Sequence, residues 1–267
     1  GAAQQNAHIV ARLALVEQLA EHLDARARRL HCLLDADDLD LLADLDDAAL
    51  EELRDALPEE SALLIACDVG REDAVAAAFE TIGDWLGEDA LDCLVNNSGI
   101  ADPYCGPLED LALEKWQGWI DASLTAAFLV SRSAIPLLRR AADTGGSASI
   151  ANISSTRAVM SEPESFAYAA AKGGIDALTH AMAVTLGPNI RVNAIRPGWI
   201  ETGPWQKSAE RTHPDHRAVD REQHPVGRIG EPQDIALAVE YLHTAGFVTG
   251  QHLNVDGGMT VKMIYED

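Results

Sequence analysis

Glycine is scarce at the start of this chain. After Gly1 the next is Gly70, although the 267 residues hold 20 glycines. A glycine-dependent turn that brings backbone close to a ligand is therefore not encoded between those positions. Positive charge is sparse too: 20 Lys and Arg stand against 43 Asp and Glu, a formal net charge of −23. That balance argues against partners with a nucleic-acid backbone and against anionic membrane surfaces. It also fits the solubility adaptation of an acidic or high-salt proteome. The four cysteines, at 32, 67, 93 and 105, lack CxxC spacing, so no metal site is expected. They read as small buried hydrophobes in a reducing cytoplasm. No signal-peptide core, membrane-spanning run, repeat or low-complexity linker divides the sequence. A single domain over 1–267 follows, long enough to bury a substantial core.

What is present centres on Ser155 to Lys172. Tyr168 and Lys172 are four apart and share a helix face. An ammonium beside a phenol favours the phenolate, so the tyrosine pKa is expected to fall towards working pH. Such a tyrosine can give or take a proton at a substrate oxygen. Ser155 follows the strand-like run Ile150-Ala-Asn-Ile-Ser-Ser155 and could bond the same oxygen.

With these residues the chain resembles the short-chain dehydrogenase/reductase family from about Leu30 to its end. The blocks that carry the resemblance are Asp68-Val69, Asn96-Asn97-Ser98-Gly99, Ser155/Tyr168/Lys172, Arg191-Val192-Asn193, Pro197 to Thr202, Val248-Thr249-Gly250 and Val255 to Gly258. The resemblance implies a single-domain, Rossmann-like, doubly wound parallel sheet of about seven strands flanked by helices. It implies that Ser155 polarises a carbonyl, that Tyr168 protonates its oxygen, and that Lys172 lowers the tyrosine pKa and holds a nicotinamide ribose. Where a nucleotide binds, Asp35, Asp68, Val69, Asn96, Gly99, Pro197, Gly198, Ile200 and Thr202 would contact it. Among these, the carboxylate of Asp35 would hold the adenosine ribose.

Two departures from the family stand out. By length, with His8–Ala11 as first strand and Arg29–Leu34 as second, the phosphate-binding glycines should fall near Arg12, Val16 and Gln18, and none is Gly. A second register sets Gly1 to Ala7 on the loop and keeps one glycine of three. Either way a side chain stands where pyrophosphate would lie, so dinucleotide binding is expected to be impaired or lost. The second departure is Ser123, which occupies the position of a fourth active-site residue, an asparagine that holds a water beside the lysine.

The rest of the chain reads as alternating strands and helices. Residues 35–60 carry twelve acids and one Arg, with leucines at helical spacing, and predict a solvated acidic helix. Residues 107–140 predict a long helix, with Pro136 as a candidate kink. Gly203 to Pro225 is polar and Pro-punctuated, which suits a substrate lid. Trp199, Trp205, Tyr104 and Phe166 suggest a partly aromatic pocket for a small cyclic molecule. Gly173-Gly174 in mid-helix predict close packing against another helix or subunit. The family's usual assembly implies a homo-oligomer, dimer or tetramer. Three readings remain open: an oxidoreductase using NAD(H); a cofactor-free lyase, isomerase or cyclase working by proton transfer at Ser155, Tyr168 and Lys172; and a non-catalytic partner subunit of an active paralogue.

Overall fold

The structure is a computed structural model, and it describes residues 31–34, 40–44, 52, 55, 62–146, 148–206, 208, 209 and 211–263; for 31–34 and 40–44 it describes the backbone. The expected first strand, first helix and both glycine-loop registers lie outside these residues, as does Asp35.

Seven strands form one sheet in the order β3-β2-β1-β4-β5-β6-β7. They are β1 (His31–Leu34), β2 (Asp40–Asp44), β3 (Ala62–Ala66), β4 (Cys93–Asn96), β5 (Ala148–Ile153), β6 (Ile190–Pro197) and β7 (His252–Val255). β2 runs parallel to β3, and β4 to β7 are mutually parallel. β1 is the exception, antiparallel to both β2 and β4. Chain length dictates this. Only 35–39 separate β1 from β2, and a parallel crossover needs about a dozen residues. The expectation that Arg29–Leu34 is the second parallel strand is therefore corrected. His31–Leu34 takes the central slot, and Asp40–Asp44, read from sequence as part of an acidic helix, is the strand beside β3. A short apolar run such as Leu41-Leu42-Ala43 inside a helical pattern is ambiguous by periodicity alone.

The inner strands are buried on both faces, as parallel strands must be when helices cover both sides. Leu94, Ile150 and Val192 face a core with α1 (Glu72–Leu86) and α3 (Ala126–Asp143). Cys93, Val95, Ala151 and Ile153 face α6 (Pro232–Thr244). The expected helix over 107–140 is instead a short 3-10 turn, α2 (Leu113–Ile120), a π-helical turn at Asp121–Thr125, and α3, which continues through Pro136. Leu113–Asp143 is long and apolar enough by composition to cross a membrane, contrary to the expected lack of such a run. Half of its most apolar window is buried in the molecule, as befits a core helix. α4 (Phe166–Leu186) packs along β6, and the short α5 (Ala218–Glu222) lies within the expected lid.

Candidate active site

Parallel strands end at one edge of a sheet, and loops there collect the functional groups. β5 ends at Ile153, and Ser154 N–H donates to Ile195 O of β6 at 2.8 Å. The loops carrying Ser155 and Pro197–Thr202 thus leave adjacent strands at the same edge. Ser154 Oγ donates to Lys172 O at 3.1 Å, which seats α4 on that edge.

Tyr168 and Lys172 share the face of α4 that looks onto it. Ser155 lies near enough to the Tyr168 phenol to favour its ionised form. Lys172, only 4% exposed, donates from Nζ to Ile153 O at 2.9 Å, and Nζ lies 5.7 Å from the Tyr168 ring centroid. Burial pulls the Lys172 pKa down to about 8, opposed by the charge of Asp176. Burial pushes the phenol up from its ordinary value, against the opposing effects of Ser155 and the Arg157 charge. The expected lowering of the tyrosine by Lys172 is therefore corrected. Desolvation of the ring outweighs any such lowering.

Ser123 sits in the π turn, 1% exposed, and its Oγ has no hydrogen-bond partner among the described residues. A Cβ at Gly99 would stand 3.0 Å from Ser123 Oγ and 3.4 Å from Lys172 Nζ. Glycine at 99 therefore keeps open the space on which the serine and the lysine converge. The turn is tied down by Ser98 Oγ, which donates to Ala122 O at 3.2 Å. π turns of this kind concentrate at functional sites.

The other expected contacts divide. Asn96 is a structural tie: its Nδ2 donates to Ser131 Oγ and Asn152 Oδ1, and Asn152 in turn donates to Thr179 Oγ1 on α4. Val69 is 1% exposed and belongs to the apolar core, so its side chain is not offered to a ligand. Asp68 Oδ1 accepts from Gly70 N at 3.0 Å and shapes the turn after β3. Pro197 ends β6, and a Cβ on Gly198 would collide with Asp256 Cβ at 2.7 Å, so the loop runs flush against the end of β7. Ile200 pairs with Gly230 and packs towards the α6-side core, while Thr202 opens a 3-10 turn. Within the lid, His216 Nε2 meets Glu201 Oε2 at 2.9 Å and stands edge-on to Trp199 at 5.5 Å. Among the described residues no group of three or more His, Cys, Asp and Glu side chains is placed to hold a metal ion.

Leu34, just before Asp35, pairs with Cys93, the first residue of β4, so β1 ends at the edge opposite the site. Asp44 ends β2, opposite Ala66 of β3, at the edge that carries Ser155. The missed signal was the run Leu41-Leu-Ala-Asp44 followed by helix-like spacing.

The described half of a dinucleotide site fits the nicotinamide end. Lys172 retains donors beyond its bond to Ile153, the Gly99 opening faces it, and Gly198 lets its loop lie flat.

A family profile described as Enoyl-(Acyl carrier protein) reductase matches residues 39–260. A Thermotoga maritima protein named "uncharacterized oxidoreductase" is 41% identical over 234 residues, covering 85% of this chain and 88% of its own. Cis-4-hydroxycyclohexanecarboxylate dehydrogenase of Sinomonas cyclohexanicum is 37% identical over 224 residues, covering 83% and 84%. Among solved structures, 3-ketoacyl-(acyl-carrier-protein) reductase from Brucella melitensis, complexed with NADH, superposes with a TM-score of 0.72 at 30% identity. That match covers 82% of this chain and 87% of that one.

Proposed function

The chain belongs to the short-chain dehydrogenase/reductase family, and from that premise we propose that it interconverts a secondary hydroxyl and a carbonyl on a small cyclic molecule with NAD(H). The observation that carries this reading is the meeting of Ser155, Tyr168 and Lys172 at the carboxyl edge of β5. In the oxidising direction Tyr168, as phenolate, takes the proton of the substrate hydroxyl. Ser155 donates a hydrogen bond to the same oxygen and holds it against the phenol. Lys172, its ammonium held by Ile153 O, would hold the nicotinamide ribose and help to relay away the proton that the phenol has gained. Ser123, facing Lys172 across the Gly99 opening, is suited to pass that proton outward. A bound nicotinamide supplies or accepts the hydride, which these side chains cannot do. Pro197, Gly198, Ile200 and Thr202 would border it, and Asp44 would hold the adenosine ribose, favouring NAD(H) over a 2′-phosphorylated cofactor.

The substrate class draws support from the relative whose name specifies a hydroxycyclohexanecarboxylate, and from Trp199 and Tyr104 near the mouth. The segment 203–225, pinned through His216 to Glu201, acts as the lid. Exposed Leu237 and Tyr241 on α6, with Val261 and Met263 beyond β7, support assembly as a dimer or tetramer. One observation favours the cofactor-free reading, namely the absence of glycine between Gly1 and Gly70. It would show as turnover of a substrate without added nucleotide.

The test is NADH formation at 340 nm with a panel of cyclic secondary alcohols. Turnover with at least one, lost about 10²- to 10⁴-fold in Tyr168→Phe, is the expected result. A rate that survives Tyr168→Phe unchanged would place the chemistry elsewhere.

A further inference from the structure

Among the described residues Glu164 is the one residue other than glycine with a positive φ, 63°. A side chain in that left-handed region costs free energy, and such a conformation persists only where the surroundings impose it. Here the surroundings are the loop after β4. The turned Glu164 carbonyl accepts from Cys105 N at 2.8 Å and from Cys105 Sγ at 3.0 Å. Two residues earlier, Glu162 Oε2 accepts from the Tyr104 hydroxyl at 2.7 Å and also pairs with the Arg157 guanidinium. Tyr104 and Cys105 are thus each tied to the segment that leads from Ser155 to Tyr168. β4 and β5 are parallel neighbours, so the two loops leave the sheet side by side. At the start of the segment, Arg157 N–H donates to Ser155 Oγ at 3.1 Å. An oxygen that accepts from a backbone N–H keeps its own proton free for a substrate oxygen. At its end, Ser165 Oγ donates to Glu162 O at 2.8 Å, just before α4 begins at Phe166. The loop after β4 reaches the same place, because Cys105 packs in one apolar cluster with Trp119, Ala167 and Tyr168.

We propose that Glu162 is a positioning residue of this site. Its carboxylate clasps the Ser155 turn to the loop after β4, and the Glu164 carbonyl clasps the same loop to the lead-in of α4. Together the two ties fix how Ser155 and Tyr168 converge on a substrate oxygen. This role rests on the reading of Ser155 and Tyr168 as the groups that meet that oxygen. The place of the ties favours geometry over stability as their purpose. Tyr104 and Glu162 are both exposed, and contacts of that kind add little to the free energy of folding. A small displacement of reacting groups, by contrast, is costly in rate. The strain at Glu164 points the same way, since it is borne where its carbonyl must turn towards Cys105.

Glu162→Ala removes the carboxylate, and Tyr104→Phe removes only the hydroxyl that it accepts from. Hydrogen exchange at the amides of Arg157 and Cys105, measured on the protein alone, reads the two ties directly. Both amides should exchange about tenfold faster or more in Glu162→Ala, with the melting temperature little changed; unchanged exchange would overturn the proposal. With a turned-over alcohol, kcat should fall about 10- to 100-fold in Glu162→Ala and about tenfold in Tyr104→Phe, while KM for the alcohol stays within about twofold. Glu162→Gln, which keeps an acceptor oxygen, should restore most of the rate. Tyr104→Phe combined with Glu162→Ala should be no slower than Glu162→Ala alone, because both cut the same bond. A lowered melting temperature with kcat per folded molecule intact would mark a structural brace and overturn the proposal. A raised KM with kcat intact would mark a substrate contact and overturn it too. If Glu162→Ala does not fold, Tyr104→Phe decides by the same measurements. The exchange measurement needs no turnover, so absence of any rate counts against the proposed reaction and not against the clasp.

Discussion

Lys172 is held almost fully buried, and at neutral pH the protein bears the cost of its charge. Its folded pKa of about 8 lies below the ordinary lysine value of 10.5, so the unfolded chain binds more protons between those limits and stability rises with pH there. The penalty is fully present below pH 8 and amounts to about 3 kcal/mol, before the bond to Ile153 O is counted against it. Thermal melts of wild type and Lys172→Met should therefore differ most in the mutant's favour near pH 7, and the difference should shrink between pH 8 and 10.5. A difference that does not change with pH would mean that Lys172 is not depressed. Ser123 gives a second expectation at this scale. Its buried hydroxyl has no partner among the described residues, so Ser123→Ala should leave the melting temperature unchanged or raise it by the equivalent of about 1 kcal/mol, while slowing turnover. The nearness of Tyr168 to Lys172 was legible from i,i+4 spacing and the position of Ser155 from the strand before it, whereas Ser123 was read from the family resemblance. The pairing of Arg157 with Glu162 was not, since nothing in the string Ser155-Thr-Arg157 says which acid the guanidinium will meet. Nor was the balance of burial against charge on Tyr168, which depends on how much protein surrounds the ring.

Among the elements, α4 and β2 are the informative ones. The glycine pair on α4 was expected to mark close packing, and only half of it does. A Cβ at Gly174 would lie 2.5 Å from Leu124 Cδ2, whereas Gly173 has nothing within 4 Å. Gly174→Ala should destabilise by about 1–3 kcal/mol through overpacking. Gly173→Ala should stabilise by about 1 kcal/mol through helix propensity. Chemical denaturation of the two variants checks both, and a loss at Gly173 would instead locate a subunit contact there. The strands and helices from β3 onward could be read within a few residues from their apolar runs and caps. The stretch before β3 could not, because leucines at 39, 41, 42 and 45 satisfy a helical period while Asp40–Asp44, which holds two of them, pairs as a strand. The acid read from the sequence, Asp35, lies outside the described residues, whereas Asp44 ends β2 at the edge that carries Ser155. NADH should bind more tightly than NADPH, and Asp44→Ser should narrow the ratio by about tenfold, equivalent to about 1.4 kcal/mol.

For the whole molecule, the family architecture coexists with two unusual properties, a formal charge of −23 and a reversed central strand. The reversed strand puts the β1–β2 connection at the edge away from Ser155, so the acid beside the site comes from β2. The strongly negative charge opposes approach of an anionic dinucleotide at low ionic strength, so cofactor affinity should hold or improve as salt is added, opposite to a basic binding site. Fold class and reaction centre were open to sequence reasoning because they rest on local spacing. Cofactor affinity was not, because it depends on how residues before β1 meet the sheet edge. The central claim is that NAD(H) serves this site, and direct titration of NADH into the protein, followed by nucleotide fluorescence and by melting temperature, tests it most directly. The account predicts saturable binding below about 100 μM with a raised melting temperature; no fluorescence change and no shift at millimolar NADH would contradict it.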